Sequence, residues 1–122
     1  MDSKSPIPKL GEQLGFNVNN SVSVDRSGYL YFNTPSSNSS KDCTPILKDG
    51  VCVRMEVDLD STPRTLQLFV NGEAGRCYIS GIPSSVRIGF SVAGKGTSFR
   101  IDNIFRLSQP TPISEGMYEV MW

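Results

Sequence analysis

The feature that most constrains this chain is the run from Arg64 to Glu73, Arg-Thr-Leu-Gln-Leu-Phe-Val-Asn-Gly-Glu. Leu66, Leu68 and Val70 fall on one side of an extended chain and Phe69 on the other, the period of a strand with one buried face. Asn71-Gly72 then closes the run. An Asn-Gly pair is the strongest short-range hairpin signal, because both residues take positive φ at low cost. The middle of the chain is thereby committed to antiparallel sheet.

The flanking sequence continues the pattern. Val51, Val53, Met55, Val57 and Leu59 alternate with Cys52, Arg54, Glu56, Asp58 and Asp60, which predicts a strand over 51–60 with the first set buried and the second in water. Ser61-Thr62-Pro63 turns the chain into the opening run, and Arg76 to Ile79 forms its partner strand. After a turn at Ser80 to Pro83, Val86, Ile88, Phe90 and Val92 alternate again, as do Thr97, Phe99 and Ile101 beyond the Gly94-Lys95-Gly96 turn. Ile104, Phe105 and Leu107 are expected to close the domain. Upstream, Val22 and Val24 lead through an Asp25-Arg26-Ser27-Gly28 turn to a return strand at Tyr29 to Phe32. Asn33 to Cys43, rich in serine and asparagine, reads as a mobile exposed loop.

No segment holds helical periodicity for three turns, and strand signals recur about every ten residues, so the fold class is all-β, an antiparallel β-sandwich. The organisation is an irregular lead-in over 1–17, the sandwich over 18–107, and a Pro-containing linker and tail over 108–122. The last residues of that tail, Gly116 to Trp122, are amphipathic enough to dock on another surface.

Composition narrows the chemistry. Twelve basic residues balance twelve acidic ones in 122, so no long-range field favours nucleic acid or an anionic membrane, and neither is expected as a partner. No stretch of roughly 18 apolar residues marks a membrane span. Met1 to Pro6 lacks the apolar core of a secretory signal, so a cytoplasmic setting is expected. Three widely spaced cysteines, Cys43, Cys52 and Cys77, make a poor disulfide framework and a poor zinc site; free thiols are expected, with Cys52 and Cys77 in or near the core. Histidine is absent, which removes the commonest general base and metal ligand and every Ser–His or Cys–His pair. The expectation is a non-enzyme with no cofactor and no metal.

Two runs invite a chemical reading. Gly89 to Thr97, Gly-Phe-Ser-Val-Ala-Gly-Lys-Gly-Thr, is similar to the phosphate loop of nucleoside-monophosphate kinases, in which Lys95 would reach phosphate. Its surroundings favour strand over helix, so a hairpin turn is the reading taken. Asp58 and Asp60 share one strand face and could hold calcium, but further oxygen ligands are wanting nearby; a solvated face leading into a turn, with Asp60 bonding turn amides, fits better. The arginines at 54, 64, 76, 87, 100 and 106 read as exposed partners for acidic neighbours, and at least half of Tyr29, Tyr31, Phe32 and Phe69 as core.

Taken in order, Gly50-Val51-Cys52-Val53, Val57-Asp58-Leu59-Asp60, Leu68-Phe69-Val70-Asn71-Gly72, Gly81-Ile82-Pro83 and Val86-Arg87-Ile88-Gly89-Phe90-Ser91 resemble the C-terminal portion of the SPRY/B30.2 family, a concanavalin A-like sandwich. Segments of large protist proteins carry similar runs. The resemblance covers about residues 17–107. The tryptophan-bearing strands with which that family's domain opens have no counterpart here, the one tryptophan being Trp122, so the sandwich is expected to be incomplete. Missing strands leave open sheet edges, which invite homodimer formation.

The resemblance implies a non-catalytic recognition module that presents loops to a protein or peptide partner. From the residues of this chain, the exposed candidates for that contact are Ser36, Asn38, Lys41, Arg64, Lys95 and Thr97. Two other readings stand beside it. One is a lectin-like carbohydrate binder, for which Tyr29 and Asn33 are compatible. The other is a nucleotide-binding enzyme using the run from Gly89 to Thr97.

Overall fold

A computed structural model describes residues 20–89 and 96–122. The described chain is all-β: β1 (Ser21–Val24), β2 (Tyr29–Asn33), β3 (Asn38–Asp42), β4 (Val53–Asp58), β5 (Thr65–Val70), β6 (Glu73–Ser80) and β7 (Tyr118–Met121). They form a three-stranded sheet in the order β1-β2-β3 and a four-stranded sheet in the order β4-β5-β6-β7. Neighbours run antiparallel except β6 and β7, which are parallel.

The opening hairpin forms as its sequence predicts. Asn71 and Gly72 sit at φ 50° and 85°, the two positive values that a tight loop between right-twisted strands requires. Asn71 also ties down β4: its N–H donates to the Cys52 carbonyl at 2.8 Å, and its Oδ1 accepts the Cys52 N–H at 3.0 Å. The β1–β2 turn is built by Asp25, whose Oδ1 accepts the Ser27 N–H at 3.0 Å. Gly28, at φ 88°, lets its carbonyl accept the N–H groups of Cys43 and Thr44 at 3.0 and 2.9 Å. The entry to β5 is organised by Asp58, not Asp60: Asp58 Oδ1 accepts the N–H groups of both Asp60 and Ser61 at 3.1 Å.

The two sheets pack face to face. Leu30 and Phe32 of β2 and Cys43 meet Leu68, Cys77, Ile79 and Val120 of the larger sheet, with Ile82 beyond the end of β6. The registers explain which face is inside: Val57, Leu66, Ile79 and Val120 stand in one row across all four strands and look at the smaller sheet.

The structure departs from several of these expectations. Asn33 to Cys43 is not an open loop: a tight turn at Thr34 to Ser37 leads straight into β3, whose five residues are all exposed. Pairing of its backbone with β2 holds it there, without any burial of its own side chains. Within the tail, Tyr118–Met121 is a strand of the larger sheet, and Val120 is 2% exposed. Among the described residues, 82–89 and 96–107 contain no strand, and Ile88, Phe99, Ile101, Ile104, Phe105 and Leu107 are exposed instead of closing the domain. Val53, Met55 and Leu59, expected inside, are also exposed, with no strand of the described residues beyond β4 to cover them. Cys52 is exposed as well, while Cys43 and Cys77 are buried.

Candidate functional site

The polar groups that the fold gathers lie on the outer face of the larger sheet. Strand alternation turns Glu56, Gln67, Tyr78 and Glu119 outward, and the registers bring them into one row, one residue from each of the four strands. An outward face of an antiparallel sheet is ordinarily wet. Here Gln67 is buried, and so are Phe69 and Ser80 on the same face.

Over Gln67 and Glu56 lies Thr111, which follows Pro110 and bonds to both. Glu56 Oε1 accepts the Thr111 N–H at 2.6 Å, and Glu56 Oε2 accepts the Thr111 hydroxyl at 2.8 Å. Gln67 Nε2 donates to the Thr111 carbonyl at 2.8 Å. Two side chains thus satisfy every polar group of one residue that lies 55 and 44 positions away in sequence. Pro110 and Pro112 flank it and favour an extended backbone, so Thr111 can be read from one side as a peptide would be.

Around this clamp the remaining groups are also engaged. The Ser80 hydroxyl donates to Glu119 Oε2 at 2.6 Å. Burial, with the neighbouring Glu119 carboxylate that accepts its hydrogen bond, pushes the Tyr78 phenol above its ordinary value. The Arg54 guanidinium stacks 4.1 Å from the centroid of the Phe69 ring. Among the described residues, Gln67 Oε1 alone is a buried side-chain polar atom with no hydrogen-bond partner. A buried acceptor left open in this way is costly and marks a place where a donor would be gained.

The row holds carboxylates, an amide, a phenol and a hydroxyl, but no histidine to move a proton between them. Its arrangement binds and orients a backbone. Among the described residues, no three side chains of metal-ligating type gather.

The sequence-derived candidates lie elsewhere. Ser36, in the β2–β3 turn, donates through its hydroxyl to the Trp122 carbonyl at 2.7 Å, beside a Thr34 hydroxyl that donates to the Met121 carbonyl at 2.9 Å. Asn38 opens β3 opposite Asn33. Lys41, further along β3, places its ammonium 4.4 Å from the centroid of the Tyr118 ring. Arg64 precedes β5, and its carbonyl accepts the Gly81 N–H at 2.8 Å. Ser36 and Arg64 therefore approach the same end of the larger sheet, where Trp122 bonds to Ser80. Thr97 is exposed, and Lys95 lies outside the described residues. Ser36 and Lys41 thus each contact the last five residues of the chain.

Sequence reasoning missed the Glu56–Gln67–Tyr78–Glu119 row because each residue alone reads as a solvated strand position. A usable signal was the flanked threonine of Pro110-Thr111-Pro112, a rigid extended tripeptide of the kind that peptide grooves select.

No protein-family model, curated protein or solved structure matches this chain. Among the described residues, no helix is long and apolar enough to cross a membrane.

Proposed function

We propose that the chain is a non-catalytic protein-interaction module of SPRY-like type, working in the cytoplasm, whose outer sheet face binds an extended, proline-flanked peptide. The observation that supports this reading is the clamp on Thr111: Glu56 and Gln67 take up its N–H, hydroxyl and carbonyl together. Residues 110–112 then act as a ligand supplied by the chain itself, and a partner peptide of similar make-up competes for the same groups. The absence of histidine and the occupied state of the carboxylates agree with binding and not turnover.

The test is fluorescence anisotropy with a labelled peptide spanning Ser108 to Ser114, added to the full chain. In the wild type the built-in segment competes at an effective concentration of about millimolar. Thr111→Val removes one hydrogen bond to a charged acceptor, worth roughly 1.5–3 kcal/mol, so the peptide is expected to bind this variant at least about ten-fold more tightly. Adding Gln67→Leu to Thr111→Val removes the carbonyl contact on the sheet and should abolish the gain. Absence of saturable binding to the folded Thr111→Val chain overturns the proposal.

A further inference from the structure

The larger sheet ends at β4, and that end is open in two ways. Its backbone edge has no neighbouring strand among the described residues. Its inner face is also uncovered: Val53 is 44% and Met55 39% exposed. Beside Met55 an open cleft with ≈ 490 Å³ of empty space, solvent included, runs between the sheets past Val22, Leu66, Ile82 and Val86. What is missing is one strand, apolar toward the cleft and polar toward the outside, with charges that suit Arg54, Glu56 and Asp58.

The same sequence carries such a strand. In 97–102, Thr97, Phe99 and Ile101 alternate with Ser98, Arg100 and Asp102. Phe99 is 53% and Ile101 55% exposed, and the charges of Arg100 and Asp102 are spent on each other at 2.6 Å. We propose that this segment of a second copy adds to the β4 edge, antiparallel, with Ile101 opposite Met55, in a two-fold dimer where each copy supplies one strand and one edge.

The register follows from charge. With Ile101 opposite Met55, Arg100 stands opposite Glu56 and Asp102 opposite Arg54, while Phe99 falls opposite Val57. Sliding two residues one way sets Arg100 against Arg54, and two residues the other way sets Asp102 against Glu56. Parallel alignments that keep the apolar residues inside satisfy at most one of the two ion pairs. A one-residue slip turns every apolar side chain outward.

The ladder geometry agrees. The Asn71 N–H to Cys52 carbonyl bond spends the even-numbered backbone groups of β4 on β5, so Val53, Met55 and Val57 aim theirs at the open edge. Both ion pairs then fall at non-hydrogen-bonded positions, where opposed side chains stand closest. The apolar face of the added strand lies over the cleft.

Reciprocity favours a second copy as the occupant. Each chain holds both halves, and a two-fold axis makes the contact twice. Within one chain the segment is not paired with that edge among the described residues, and Arg100 and Asp102 bond each other. The exposed surface of Phe99, Ile101, Phe105, Val53 and Met55, which this register turns to the inner face, comes to roughly 500 Å² per copy, or roughly 1,000 Å² for the pair, the scale of a small specific interface. The inference does not rest on the peptide reading above: the Asp102–Arg54 pair and the Ile104–Cys52 contact use no residue of the Thr111 clamp.

The chain provides its own cross-linking site. The same register sets Ile104, 85% exposed, opposite the exposed thiol of Cys52, again at a non-hydrogen-bonded position. Ile104→Cys is therefore expected to give, in an oxidising glutathione buffer, a covalent dimer whose peptide map joins Cys52 to position 104. Phe105→Cys, one residue out of register, is expected to cross-link far less. A monomer carrying the 52–104 bond within one chain overturns the second copy as occupant, and so does absence of that bond in a folded Ile104→Cys protein. Without cross-linking, Asp102→Arg should weaken self-association in sedimentation equilibrium several-fold, and combining it with Arg54→Asp should restore it. No restoration, or a strictly monomeric wild type at high concentration, refutes the pairing.

Discussion

Truncating Val120 to alanine tests whether the last strand is part of the core. Val120 completes the inner row Val57–Leu66–Ile79–Val120 and is 2% exposed. Losing two buried carbons forfeits about 1.6 kcal/mol of transfer free energy. The space they leave cannot collapse freely, because Leu30 and Ile79 beside it are held in strands of opposite sheets; a cavity of about 40 Å³ adds roughly 1 kcal/mol. The expected cost is about 2.5 kcal/mol, a lowering of Tm by about 10 °C for a domain of this size. Urea unfolding followed by tyrosine and tryptophan fluorescence gives the value. Met121→Ala is the control, since that side chain is 58% exposed and its loss should cost less than about 0.5 kcal/mol. If Val120→Ala unfolds within about 0.5 kcal/mol of the wild type, the parallel β6–β7 pairing does not hold the tail in the core and the reasoning fails.

Gly28→Ala should destabilise by at least about 2 kcal/mol, because φ is 88° there and an added Cβ would land on the Thr44 carbonyl; Gly72→Ala, with open space around it, should cost only about 1 kcal/mol in urea unfolding. Iodoacetamide on the folded protein should add one label, at the exposed Cys52, since Cys43 and Cys77 are buried and burial together with the neighbouring Cys43 pushes the Cys77 thiol up to about 12; two or three adducts by mass spectrometry without denaturant would contradict this. Burial raises the Asp25 carboxyl, but hydrogen bonds from the Ser27 and Tyr31 hydroxyls and from backbone N–H groups outweigh it and hold the carboxyl below its ordinary value of 3.8. Its contribution is therefore present above that ordinary value and lost as pH falls through the lower folded one, so Asp25→Asn should flatten the acid limb of a stability profile taken from about pH 5 to pH 2, and an unchanged slope would refute it.

Period-two patterning and turn chemistry made much of this fold legible. The β5–β6 hairpin, the β1–β2 hairpin and β4 are all local: alternation sets the faces, and Asn71-Gly72 and Gly28 supply the positive φ values that their turns need. Strand β3 escaped such reading because its residues, Asn38 to Asp42, are polar throughout and are held by a backbone ladder that leaves no hydrophobic trace. At 86–107 the alternating pattern is present but the described residues form no strand, since alternation marks the two faces of an extended segment without fixing which edge it joins.

What the sequence determined by itself is therefore local: all-β character, the positions of the tight turns, and which side of each central strand is apolar. Only the tertiary structure decided that residues at the chain's end return to pair with β6, and that Glu56 and Gln67 close on Thr111. The physical reason is that both depend on partners 41 to 55 positions away, and no periodicity within a strand encodes which distant backbone will lie across it.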